Sequence, residues 1–592
     1  MERKQVPVEK TWKIEDLYAD DAAFEADYAK LAAKTEELAL LKGTLSGGSG
    51  KLLAVLESYY SAMLILEHIY SYAMMSKDTD SRSPKFQALH ERAQNAYVRF
   101  GEASSYITPE LLAMPVGTAA AWVEQNDGLK IYARMISEAE RMRPHTLDEQ
   151  GERLLAMAGD VLAAPDAIFS MIDDADIRFD PIQDENGKEA AVTHGSYSVF
   201  LESRDRRVRK DAFTSMLSAF EKQKNTIGTT YASSVKADVF IARARNFAGS
   251  LDAALKPNEV PQSVYDNLLA TIESNAPVMQ RYIDLRKRAL GIDEVHFYDL
   301  YVAIASDWDL RLPYEEAAET VRKALAPMGG DYMRELDRAF ESRWIDVCET
   351  EGKRSGAYSN GVFGVHPYVL LNYQESLDNI FTIAHEMGHA MHSFYSAKTQ
   401  PYPTADYVIF VAEVASTVNE LILLDYLTKN APDDGARAAL LNHKLESIRG
   451  TVYRQTLFAA FEKASHAMAE AGEPLTNDAL CAVYRDLYGR FYPGLVIDDL
   501  LPYEWMRIPH FYRAFYVYQY ATGYSAAVAL SRGILQGKPG ALENYLKFLS
   551  GGGSMSPLDL LRGAGVDMSS PAPVEACMKE FEETLTLLEG LL

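Results

Sequence analysis

The sequence predicts a mainly α-helical protein with very little strand. Three observations carry that reading. Long stretches rich in Ala, Leu, Glu, Lys and Arg repeat apolar residues three and four apart, as in DDAAFEADYAKLAAKTEELALL at 20–41. Only two segments, near 177–192 and 361–374, carry the turn chemistry or β-branched and aromatic content of strands. No repeat of fixed period is evident along the 592 residues.

The elements follow in order. The N-terminus, MERKQVPVEKTWKIEDLY, is charged and lacks the apolar run of a signal segment. The most apolar early stretch, LLAVLESYYSAMLILEHIYSYAMM at 52–75, contains Glu57, Glu67 and His68, so it reads as a core helix and not as a membrane span. A boundary near 115 closes a helical N-terminal region, 1–115. Residues 116–200 are expected to hold helix and a hairpin, because in IRFDPIQDENGKEAAV the turn Glu185-Asn-Gly-Lys188 lies between extended runs. Residues 201–592 form the third part and carry the chemistry. Near its start, the basic run Arg204-Asp-Arg-Arg-Val-Arg-Lys210 is broken by an acid and flanked by Glu202 and Asp211, which reads as a solvated helix start. SGGSG at 46–50 and SGGGS at 550–554 are glycine-rich connectors without the lysine and hydroxyl spacing of a phosphate-binding loop.

Bulk properties narrow the function. Net charge is −25 with a pI near 5.0, which argues against a nucleic-acid partner. Cys348, Cys481 and Cys577 are few, odd in number and far apart, which argues against a disulfide framework and a thiolate zinc site. The expectation is a soluble cytoplasmic protein with no membrane partner. Its oligomeric state is not legible.

TIAHEMGHAMHS at 382–393 holds three of the chain's 12 histidines. The surrounding ESLDNIFTIAHEMGHAMHSFYS has no proline and a single glycine, Gly388, and Ser376 or Asp378 can cap its start. As a helix it places His385, His389 and His392 on one face. His385 and His389, one turn apart, can reach one metal ion. Glu386 is offset, where its carboxylate can reach a water and not the metal. This is the His-Glu-x-x-His arrangement of zinc peptidases.

A catalytic zinc site needs a third protein ligand. One known pattern places a histidine six residues after the second, with a glycine midway; those places hold Tyr395 and His392. Another places a glutamate nineteen or twenty residues on, where Val408 and Ile409 stand. A better candidate is Glu413, in the middle of TADYVIFVAEVASTVNELILLDYL at 404–427, a helix apolar nearly all round and therefore buried. A buried carboxylate costs several kcal/mol unless it is paired or binds a cation. A metal would resolve that cost, and so would a lysine or arginine from another helix. Glu420, seven residues on and on nearly the same face, can orient a ligand histidine. His392 is a spare polar residue, read as lining the same cleft. Directly before the histidine helix, GVFGVHPYVLLNYQ at 361–374 reads as a strand, with Pro367 marking an edge. An exposed edge can pair with a peptide backbone, although an ordinary sheet strand fits the same residues.

HEMGHAMHS followed by PTADYVIFVAEVASTVNE resembles the oligoendopeptidase F family, zinc oligopeptidases related to thimet oligopeptidase and neurolysin. The resemblance continues in KRSGAYSNGVFGVHPYVLLNYQ, in PHFYRAFYVYQYATGYSAA and in SVFLESRDRRVRKDAF, spanning roughly 190–590. It implies a mainly helical fold, with two halves flanking a deep substrate channel and a small β-sheet beside a zinc-binding helix pair. It implies endopeptidase cleavage of short unstructured peptides. One Zn2+ per chain would be held by His385, His389 and Glu413, with Glu386 as general base. It places His510, Tyr512 and Tyr516 in substrate holding and oxyanion stabilisation, and Gln519 where some relatives have a third tyrosine. Gly356, Ala357 and Tyr358 are expected to give backbone contacts to the peptide, with His366 and His392 as further substrate-side residues. The competing readings are a metal enzyme of another reaction type, an exopeptidase, or a non-catalytic helical binding protein.

Overall fold

The computed structural model describes residues 1–305 and 308–592. The chain forms two compact units, each built from three separate stretches. The first takes residues 1–144, 309–423 and 530–566; the second takes 145–308, 424–529 and 567–592. The sequence-continuous partition with breaks near 115 and 200 is therefore not the partition into compact bodies. The break at 115 falls inside the first unit and that at 200 inside the second. A helix buries its apolar stripe against whichever partners complete a core, and those need not be its neighbours in sequence.

In the first unit, α1 (Asp21–Leu40) starts at Asp20, whose side chain accepts from Ala23 N–H. α2 (Ser49–Thr79) packs between α1 and α3 (Pro84–Ser104), and α3 starts with Ser83 as cap and proline in its first turn. Their core joins Phe24, Leu31 and Leu38 to Leu52, Leu56, Ile69 and Phe100. By length and composition, α2 and the 149–176 stretch are apolar enough to cross a membrane. In α2 that apolarity is spent on α1 and α3. Two of its internal polar residues grip a loop: Glu67 accepts from Phe363 N–H at 2.9 Å and His68 Nε2 lies 2.8 Å from the Phe363 carbonyl.

The second unit holds the predicted hairpin. β1 (Ile182–Gln183) and β2 (Glu189–Ala190) pair antiparallel across a turn in which Asp184 accepts from Asn186 and Lys188 N–H. Gly187 takes φ +73°, as that turn requires. A further pair, β3 (Val295–His296) with β7 (Leu495–Val496), is parallel and had no sequence signal, being two residues long on each side. The basic run does start a helix, α4 (Arg206–Lys222), but it is not simply solvated. Arg206 and Arg209 both donate to Asp299 at 2.8 Å, and Arg209 is buried.

A three-stranded sheet in the first unit positions the site. Its order is β4 (Ile345–Asp346), β6 (Tyr368–Leu370), β5 (Tyr358–Asn360), with β6 parallel to β4 and antiparallel to β5. The strand expected over 361–374 thus shortens to 368–370 and is the central strand, not an edge. Pro367 stands just before its first paired residue, where a missing N–H costs no ladder bond. The edge lies at β5. Val369 and Leu371 donate to Trp344 and Asp346 carbonyls on the β4 side. By alternation, Tyr358 and Asn360 bond to β6, and the backbone groups of Ala357 and Ser359 turn to the free edge.

Candidate metal centre

Two helices build the centre, and both follow β6 in the chain. α5 (Leu377–Thr399) starts at Ser376, whose hydroxyl accepts from Asn379 N–H; of the two candidate caps it is Ser376 that serves. α6 (Ile409–Lys429) crosses it. The crossing point is Gly388. A Cβ there would meet Ser416 Cα at 2.5 Å and the Ala415 carbonyl at 2.6 Å, so the two backbones touch where only hydrogen fits. His385 stands one turn before Gly388 and His389 directly after it, while Glu413 and Glu420 stand one turn before and after Ser416. The crossing is fixed by Asn419, fully buried, which donates to the Ala384 carbonyl at 3.1 Å and accepts from the Tyr332 hydroxyl at 3.1 Å.

The result brings three donors together. His385 Nε2 and His389 Nε2 are 3.2 Å apart, and Glu413 Oε2 lies 3.4 Å from the first and 3.3 Å from the second. Four tetrahedral ligands at about 2.0–2.1 Å from a zinc ion are separated from one another by about 3.3 Å. The donor set, two imidazoles and one carboxylate with a vertex left open, fits a catalytic zinc ion. Glu420 Oε1 accepts from His385 Nδ1–H, so that the neutral ring, the form that binds a metal, carries its lone pair on Nε2. Ser416 donates to Glu413 Oε2 at 3.0 Å and steadies that carboxylate.

The electrostatics follow from burial and mutual attraction. Burial works against charge on His385, but the Glu420 contact, with Glu386 and Glu413 behind it, raises it to about 9. Burial pushes Glu413 up, and the two histidines outweigh that and bring it to about 2. These shifts express one shared attraction between imidazoles and carboxylates. Glu386 is different: 7% exposed, it is pushed above the usual carboxylate value by burial, the histidines only partly opposing.

Other predicted residues sort unevenly. His392 does not line the cleft. It is 1% exposed, its ring stacks on Tyr407 with centroids 3.7 Å apart, and burial drives it to about 3. The three-residue spacing put it near the ligand face, but Tyr407, which also shares a hydrogen bond with Ser393, covers it. His366 is likewise a packing residue, stacked on Trp344 at 5.0 Å with Nδ1 near the Pro367 carbonyl. The Gly356 carbonyl is occupied by the Asn372 amide at 2.8 Å, and Tyr358 turns its hydroxyl to Asp78. Of the three expected backbone contacts, Ala357 keeps its groups on the free edge.

In the second unit, His510 and Tyr516 come together, rings 6.2 Å apart, with Tyr520 5.5 Å from Tyr516. Tyr512 does not join them. It stacks on Phe169 at 4.5 Å, and its buried hydroxyl has no partner among the described residues. The reason lies between them: Phe515 has φ +57°, which turns the chain, and its N–H is held at 2.8 Å by the buried carboxyl of Glu462. Gln519 donates to the Tyr516 carbonyl at 3.2 Å. Ser416, Asn419, Tyr407 and Glu462 escaped the sequence reading. Only Ser416 had a signal, a hydroxyl three residues after Glu413 on the same helix.

The chain is similar to known proteins along its whole length. Residues 199–580 match the family model described as peptidase family M3, and 110–179 match that described as oligopeptidase F. The chain is 44% identical over 593 residues to oligopeptidase PepF of Bacillus subtilis, covering 100% of this chain and 88% of that one. It is 39% identical to an oligoendopeptidase F homologue of Lactococcus lactis subsp. lactis, covering 100% and 98%. Among solved structures, one from Chlamydophila abortus, described as a peptidase, superposes with a TM-score of 0.95 at 33% identity over 100% of both chains. Oligoendopeptidase F from Enterococcus faecium superposes with a TM-score of 0.75 at 36% identity, over 96% of this chain and 99% of that one.

Proposed function

Since the chain belongs to peptidase family M3 and is a metalloendopeptidase, we propose that it uses zinc, one ion per chain, to hydrolyse internal bonds of short unstructured peptides. The observation that carries this is the 3.2–3.4 Å mutual spacing of His385, His389 and Glu413 donor atoms. A zinc ion held there would lower the pKa of a water and polarise the scissile carbonyl. Glu386 acts as the base: its carboxylate takes a proton from the attacking water and returns it to the leaving amine. Glu420 keeps His385 in the ligating tautomer, and Ser416 keeps Glu413 aimed. The free edge at Ala357 and Ser359 pairs with the peptide backbone, a contact largely blind to side chains. By family likeness, His510 and Tyr516 hold the substrate and donate to the developing oxyanion.

The three free cysteines support a reducing compartment, hence the cytoplasm. The peptidase reading is tested with a peptide blocked at both ends. The purified chain is expected to carry one zinc by elemental analysis and to cut that peptide internally, with a chelator abolishing both. Absence of stoichiometric zinc, or failure to cut any blocked peptide, defeats the reading. Tyr516→Phe removes a single hydroxyl and is expected to lower kcat at least tenfold; unchanged kcat would take Tyr516 out of the oxyanion role.

A further inference from the structure

Beside the three-stranded sheet lies a recess that peptide-bond cleavage itself leaves unused. A cavity of about 910 Å3 opens within the first unit between α2, the end of β5 and the 402–407 segment. That volume is in the range of small-ligand sites. Its walls have a consistent chemistry. Tyr59, Tyr60, Tyr70, Tyr97, Tyr402 and Tyr407 line it, and Phe363 closes one side. Glu67 and Asp406 are its carboxylates, and among the described residues no lysine, arginine or histidine lines it.

The carboxylates are held in place. Glu67 accepts from Phe363 N–H at 2.9 Å and from the Tyr402 hydroxyl, so it is fixed against the wall without a compensating cation among the lining residues. Asp406 stands exposed at the rim and accepts from Tyr407 N–H at 2.8 Å. The rings buttress one another, Phe363 on Tyr402 at 5.1 Å and Tyr60 edge-on to Tyr402 at 6.2 Å. Aromatic faces are electron-rich, and a cation set over them and near a carboxylate is attracted by both. An anion is repelled by both.

The recess is also well placed along the proposed peptide path. Ser359, whose backbone faces the free edge, lines it, and so does Ser393. Ser393 follows His389 by four residues on α5, about 6 Å along the axis. Gly361, the residue after β5, presses on Ser393, where an added Cβ would come within 2.7 Å of its Cβ. An extended peptide advances about 3.3 Å per residue, so the recess lies about two or three residues from the metal donors.

We propose that this recess is a specificity subsite taking the lysine or arginine side chain of a peptide held along β5, two or three residues from the cleaved bond. It rests on the peptidase reading above. Peptides blocked at both ends and sharing one cleaved bond carry arginine, its neutral isostere citrulline, or glutamate at each nearby position. At one position arginine is expected to exceed citrulline in kcat/KM about tenfold, or about 1.4 kcal/mol, with glutamate below both. Asp406→Asn, at an exposed site where folding is not at risk, and Glu67→Gln are expected to bring the arginine-to-citrulline ratio close to one. Equal rates for arginine and citrulline at every position, with hydrolysis intact, overturn the subsite and leave the peptidase reading standing. Should no peptide be cut, calorimetric binding of the same peptides reads the recess alone. Tighter binding of the arginine peptide, lost in Asp406→Asn, upholds it, and equal binding overturns it.

Discussion

At the scale of single residues, the centre separates holding a metal from moving a proton. His385, His389 and Glu413 converge, whereas Glu386 shares their helix pair without joining the donor set. Glu386→Gln keeps the size and burial of the side chain and removes its basicity. It is expected to retain one zinc per chain and to lose about 10²–10⁴ in kcat, read by elemental analysis beside steady-state rates; retained turnover would take Glu386 out of the base role. Glu420→Gln acts elsewhere, on the hydrogen bond that sets the His385 tautomer. It should weaken zinc binding about 10–100-fold, measured by competition with a chromogenic chelator, and unchanged affinity would make Glu420 a bystander. These residues were legible in the sequence for physical reasons: a one-turn spacing and a carboxylate stranded in an apolar helix both demand explanation. His392 was misread because spacing says where a side chain starts and not which ring covers it, and His366 because a resemblance in sequence does not show that its ring stacks on Trp344. Asn419 and Glu462 were invisible, since their partners, Ala384 and Phe515, are distant in sequence.

At the scale of elements, the centre is a property of one crossing. α5 and α6 meet with backbone against backbone at Gly388, and that contact sets the distance between the histidines and Glu413. Gly388→Ala is compatible with helix but places a methyl on the Ser416 Cα and Ala415 carbonyl, neither of which can rotate away. It is expected to cost about 1–3 kcal/mol by overpacking and to lose zinc, because α6 must retreat. Gly101→Ala, in α3 with nothing within 4 Å of the new methyl, should do the opposite and stabilise by about 0.5–1 kcal/mol. Thermal unfolding and zinc content of the two variants check both signs, and a Gly388→Ala protein with full zinc would show that the crossing can yield to a methyl without moving the metal donors. The helices themselves were readable from periodicity, and so was the hairpin. The sheet order was not: a short apolar run predicts a strand, but whether it lies centrally or at an edge depends on β4 and β5, which add only two and three residues.

At the scale of the whole molecule, each unit must hold together stretches that the chain visits separately. In the second unit a buried ionic network does part of this. Asp299, fully buried, accepts from Arg206, Arg209 and His296 N–H, and its carbonyl accepts from Arg286, which also donates to Glu446 across the sequence gap. Burial alone would raise the Asp299 pKa, but the bonds from Arg206 and Arg209 outweigh it and hold it below its ordinary 3.8. The sign follows from that depression. The charged form is favoured in the folded state, so the stabilisation is fully present above the unfolded value of 3.8 and is lost as pH falls through the lower folded value. Asp299→Ala takes the carboxylate from the buried Arg209, leaving it only the Ser203 and Arg204 carbonyls, and is expected to cost about 3–5 kcal/mol at neutral pH. Scanning calorimetry from pH 7 to pH 3 checks this: the gap between wild type and variant should stay constant down to about pH 4 and narrow below it. A gap that closes already near pH 6 would mean that a histidine, not Asp299, governs the joint, and a variant as stable as wild type would mean that apolar packing alone carries the second unit.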